Sequence, residues 1–234
     1  MRFVEHKTTH FTQAKSDKEE HDHGDIDPVI LKKLSAHEKM AEEMKQSQID
    51  CEALPVGSHP IERKQYYSQT FSMSPKFVTN KGLVKIKGKN IDFVQLLQRN
   101  LEHAEYRSNS FAIRSSAILS RPLYMLQIKS NDNDKFLARC KPITKGYFHS
   151  RRTIDVKWTG DDNFSQVLQT DATLTGMLKE VMLKVGEMTI DPQDDHIRIY
   201  GRWIHEENLA FDPAMFEIAD KIALHIKNIV QKKD

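Results

Sequence analysis

The chain has 234 residues, of which 38% are hydrophobic and 29% charged, and its formal net charge is +2. Nine Gly and two Cys exclude a collagen-like repeat and a disulfide scaffold, and no window holds the roughly 18 uncharged apolar residues of a membrane-spanning helix. The small net charge hides an asymmetry: residues 76–157 carry 17 Lys and Arg against 6 Asp and Glu, whereas residues 1–75 carry 10 against 13 and residues 158–234 carry 8 against 14.

Residues 1–25 offer only Phe3, Val4, Phe11 and Ala14 to a core, among many charges and four histidines. Too little apolar area is available to offset the entropy of ordering them, so a flexible polar tail is expected. Residues 26–47 read as an amphipathic helix. Asp27 caps it, Pro28 fits its first turn, and Leu31, Leu34, Ala41 and Met44 recur at helical spacing. This helix is a candidate for packing on the domain, on a partner protein, or on a second copy in a homo-oligomer. Residues 48–65, with two prolines and a glycine, have linker composition. A single domain is then expected over residues 66–234.

Within that domain Val84 and Ile86 alternate with Lys85, Lys87 and Lys89, which predicts a strand. Asn90 followed by Val94, Leu97, Leu101 and Ala104 predicts a helix. FAIRSSAIL, LYMLQIK and KFLARCK read as strands, the last two joined by the turn-rich SNDND. A turn at Thr144-Lys145-Gly146 leads into YFHSRRTIDVKW, another strand with Ile154, Val156 and Trp158 facing inward. Asp171 caps a helix carrying Leu174, Leu178, Val181 and Val185. EMTI and HIRIYGRW flank DPQDD, a hairpin signal, and Asp212-Pro213 opens a final helix. The expected class is α+β: a mostly antiparallel sheet, built as a β-meander plus a C-terminal hairpin. Two or three helices pack it, and a separate amphipathic helix precedes it.

Three constellations carry possible chemistry. The first is the basic centre, where Lys85, Lys87, Lys89, Arg139, Lys141, Arg151 and Arg152 could share an outer sheet face with aromatic residues. Arg198 and Arg202, on a strand with His196 and Tyr200, could fork onto a carboxylate or phosphate, or pair with nearby acids. The expected partner is anionic, a nucleic acid or an acidic protein. The second is Asp155-Val156-Lys157, the latter half of a metal-dependent nuclease pattern, whose upstream acid would be Asp132 or Asp134. The third is His21-Asp22-His23, able to hold a transition metal only weakly in a flexible tail.

No phosphate-binding glycine loop, nucleophile elbow or HExxH helix occurs, so no cofactor is expected and an enzyme is disfavoured. Two isolated cysteines and a first segment without an apolar core point to a soluble, cytoplasmic protein without a membrane association. The expected function is an interaction module. Its alternatives are a nuclease acting through Asp155 and Lys157, and partner recruitment or self-association through the N-terminal helix.

Overall fold

The computed structural model describes residues 34–58, 78–102, 116–128, 133–204 and 209–232. The expected tail, the start of the helix at Asp27-Pro28, His21, His23 and Asp132 lie outside these residues. So do Lys76, Arg107, Arg114 and Lys129 of the basic centre.

Among the described residues four helices, α1 (Ala36–Gln46), α2 (Asp162–Thr170), α3 (Ala172–Val185) and α4 (Pro213–Gln231), accompany eight strands. These are β1 (Cys51–Ala53), β2 (Val78–Ile86), β3 (Phe93–Glu102), β4 (Ser116–Gln127), β5 (Ala138–Lys145), β6 (Arg152–Gly160), β7 (Met188–Pro192) and β8 (His196–Gly201). They form one sheet in the order β1-β2-β3-β4-β8-β7-β5-β6, and every neighbouring pair is antiparallel. The expected α+β class with a mostly antiparallel sheet is what the chain adopts. β4 and β5, expected as neighbours across SNDND, are instead parted by the β7–β8 hairpin.

Strand alternation gives the sheet two faces. One carries Val84, Val94, Leu96, Tyr124, Leu126, Cys140, Val156, Trp158, Ile190 and Ile199, all buried in the principal core with the apolar sides of the four helices. The second face carries a smaller cluster of Leu97, Leu123, Met125 and Tyr200, with Phe93 and Trp203 against it.

Local chemistry sets the helix starts. Asp161, Asp171 and Asp212 each accept a hydrogen bond from a backbone amide three residues on, Phe164, Leu174 and Met215 respectively. α1 opens with a capping box between Ser35 and Glu38. Its Met40, Ala41 and Met44 enter the principal core, so that face is not offered to a partner. The stretch of linker composition supplies Ile49 and Cys51 to the same core, Cys51 as the first residue of β1.

The helix expected after Asn90 is a strand instead. β3 is buried on both sides: Val94 and Leu96 face the principal core, and Leu97 joins the second cluster. A strand buried on both faces loses its two-residue period, and tertiary pairing with β2 and β4 overrides the helix-favouring Leu and Gln residues. Asn90 caps nothing of its own. Its backbone and side-chain amides donate to Asp220 of α4 at 2.6 and 3.1 Å.

Candidate nucleic-acid interface

The basic centre folds into two groups. Lys85, Lys87 and Lys89 lie on and just beyond β2, near the β1 edge, and all three are exposed. Lys87 bridges Glu52 at 3.7 Å. Arg139, Lys141, Arg151 and Arg152 belong to β5, β6 and the turn between them. β2 is second in the sheet and β5 seventh; five strand spacings of about 4.8 Å separate them by roughly 24 Å. The seven cations therefore do not make one patch.

The second group is the denser. Residues 135–154 contain no acid and include Lys135, Arg139, Lys141, Lys145, Arg151 and Arg152. β5 pairs with β7 only through Ala138, Arg139 and Cys140. Beyond Cys140, β5 and β6 continue together as a two-stranded arm. In that arm Lys141 stands directly opposite Lys157, and Lys145 directly opposite Arg152. Like charges facing each other across a ladder destabilise it by up to about 1 kcal/mol a pair.

Few carboxylates relieve this. Lys141 reaches Glu187 at 3.7 Å, an exposed pair of little strength. Arg139, Lys145, Arg151, Arg152 and Lys157 form no ion pair with a described residue. Three acids of the last third are engaged elsewhere. Asp171 holds Lys221 and His225 at 3.1 and 2.8 Å; Asp212 holds Lys184 at 3.2 Å; Asp220 holds Asn90 and Ile91.

The tip of the arm is tied by Ser150, whose hydroxyl donates to the Tyr147 carbonyl at 2.8 Å and accepts the Tyr147 amide at 3.2 Å. Gly146 sits there at φ 98°, with Ser150 backbone where a Cβ would stand. This turn holds the Tyr147 ring out, 86% exposed. Lys145, His149, Arg151 and Arg152 around it are exposed as well. Val156 and Trp158 point into the principal core as expected, whereas Ile154 is 42% exposed.

The remaining expected site residues separate. Arg198 is buried and paired with Asp191 on the adjacent strand, the reading in which it pairs with a nearby acid. Arg202 is exposed at the end of β8. Asp155 bridges Lys179 of α3 at 3.6 Å. It lies opposite Ile143, while Asp134 precedes the other end of β5, where Ala138 pairs with Gly160. At least five residue steps of about 3.3 Å part those positions, too far for two carboxylates to share a metal ion. Among the described residues no group of three His, Cys, Asp or Glu is placed to hold one.

Three site residues were legible in position but not in role: Lys145, Tyr147 and His149, whose common signal is the acid-free run. A fourth, Arg121, gave no signal. It lies on the second sheet face, 5% exposed, with its guanidinium 4.0 Å from the Tyr200 ring centre and 4.3 Å from that of Trp203. Burial pushes it down to about 10, so it stays charged at neutral pH. With Arg139, Glu187, Thr189, Tyr200 and Arg202 it lines a hollow of about 200 Å³ beside the foot of the arm. Both thiols are free and buried, and burial pushes both up, Cys140 to about 12, away from the thiolate form that a nucleophile needs.

None of the described helices is long and apolar enough to cross a membrane. Comparison of the chain with protein-family models, curated proteins and solved structures finds no match.

Proposed function

We propose that this protein binds single-stranded nucleic acid along the β5–β6 arm, in an intracellular setting. The observation that carries the reading is the pairing of Lys141 with Lys157 and of Lys145 with Arg152. These like-charge pairs destabilise the arm, and a phosphate backbone laid along it offsets that cost. Tyr147 at the tip supplies a flat apolar surface beside the cations, the combination on which unpaired bases stack.

Protection of the sheet edge is the competing account of charge on β6. It explains cations on an edge strand but not their placement against like charges on β5. Part of that edge is also covered already: Gln169 of α2 accepts the Trp158 amide at 3.0 Å and donates to the Val156 carbonyl at 3.1 Å.

The test is fluorescence anisotropy with a short labelled single-stranded oligonucleotide. Replacing Lys145, Arg151 and Arg152 together by alanine should weaken binding at least about tenfold. Tyr147→Ala should cost about 1–3 kcal/mol, the worth of one stacked base. Polyglutamate should compete poorly. No binding at low salt, or equal binding by the triple variant, would refute the assignment; tighter binding of polyglutamate would give the arm to an acidic protein instead.

A further inference from the structure

Away from the arm, a second cavity opens where β4 and β8 meet the C-terminal end of α3 and the N-terminal end of α4. Its volume is about 340 Å³, within the range of small-molecule sites. Tyr124, Leu209, Phe211 and Met215 supply apolar wall. Lys184, Arg121 and Arg202 also line it, and the single acid among its described lining residues is Asp212. That acid is committed twice, to Lys184 at 3.2 Å and to the Met215 amide at 3.2 Å. With Lys184 and Asp212 paired, Arg202 is left among the described lining residues as a cation without an ion pair to a described residue, above an apolar floor.

Arg202 is the head group's natural contact. Its stem lies over Gly186, where a Cβ would stand 2.9 Å from the arginine Cδ. Its guanidinium makes one long bond, 3.5 Å to the Lys184 carbonyl, and no ion pair with a described residue. A fork with donors left over suits a carboxylate. A neutral apolar ligand would fill the floor but leave the positive rim unanswered; a highly charged one would leave the floor in water.

We infer that this cavity binds a small amphiphilic carboxylate, its apolar body on Leu209, Phe211 and Met215 and its head on Arg202. No residue of β5 or β6 lines it, but it shares Arg121 and Arg202 with the hollow at the foot of the arm; the titrations below are made without oligonucleotide, so their outcome is separate from that of nucleic-acid binding. The test is isothermal titration of the full chain with octanoate and, separately, with 1-octanol.

Octanoate should bind saturably, one per chain, and more tightly than octanol. Arg202→Glu should weaken octanoate at least tenfold and leave octanol unchanged. Ala210→Trp, at an exposed lining position, should abolish both while leaving the thermal unfolding transition in place. Three results would overturn the inference: no saturable octanoate binding, octanol binding as tight as octanoate, or insensitivity to either substitution.

Discussion

Single residues in this protein are held by competing forces whose balance can be read from their neighbours. Burial pushes the Asp171 carboxyl up, but the Leu174 amide, the His225 ring and the Lys221 ammonium outweigh it and hold it down to about 2. A carboxyl lowered in the folded state stabilises the fold above its unfolded value, about 3.9. That contribution is lost as pH falls through the folded value. Asn caps a helix about as well as Asp, so Asp171→Asn should remove mainly the ion pairs. The expected loss at neutral pH is up to about 1 kcal/mol. In thermal melts its difference from the wild type should shrink as pH is lowered from about 4 towards 2; a difference that stays constant would contradict the ion-pair account. His196 is lowered too, but there burial acts in the opposite direction: it pushes the ring down, although Asp195 beside it favours the proton.

Gly82 shows backbone and side chain meeting at one point. It sits at φ 135° beside a β2 bulge, and a Cβ there would lie 2.2 Å from the His37 ring. That ring is buried between the Ser35 hydroxyl and the Leu54 carbonyl. Gly82→Ala should therefore cost about 2 kcal/mol or more, measured by urea unfolding. An unchanged midpoint would mean that α1 can shift away from β2 freely.

At the scale of elements, the β5–β6 arm gives the sharpest prediction, because its stability and its proposed function pull in opposite directions. Lys157→Glu replaces a like-charge cross-strand pair with an opposite-charge one. It should raise stability by about 0.2–1 kcal/mol while weakening oligonucleotide binding. A variant that is both less stable and unaffected in binding would remove the physical basis of the arm's assignment.

Elements announced by local chemistry were legible in the sequence: the aspartates before α3 and α4, the DPQDD turn, and the alternation in β2. β3 was not, because burial on both faces erases the period that distinguishes strand from helix. The insertion of β7–β8 between β4 and β5 was not either, since it depends on pairing between segments far apart in the chain. The charged site was half legible. An acid-free run is visible as composition, but only the register reveals that its cations face one another. Arg121, one arginine inside an apolar strand, stacks on Tyr200 of β8 and on Trp203 just beyond it, and nothing local marks it.

For the whole molecule, the sheet divides labour between its faces. The helical face holds the principal core and has its end-of-helix acids committed to caps and ion pairs. On the second face Arg198 is paired with Asp191, whereas on the arm Arg139, Lys145, Arg151, Arg152 and Lys157 form no ion pair with a described residue, which concentrates positive charge there. The cations of β2, roughly 24 Å away, are too far to join the arm on a short ligand, but they lie on the same molecule for a longer strand to reach.

The most direct test of this picture is the salt dependence of oligonucleotide affinity, compared between the wild type and the variant lacking Lys145, Arg151 and Arg152. On single strands each neutralised phosphate adds about 0.7 to the slope of log affinity against log salt. The wild type should lose affinity steeply between about 50 and 200 mM salt, and the variant's slope should be shallower by about 2. Equal slopes, or a wild-type affinity indifferent to salt, would contradict it.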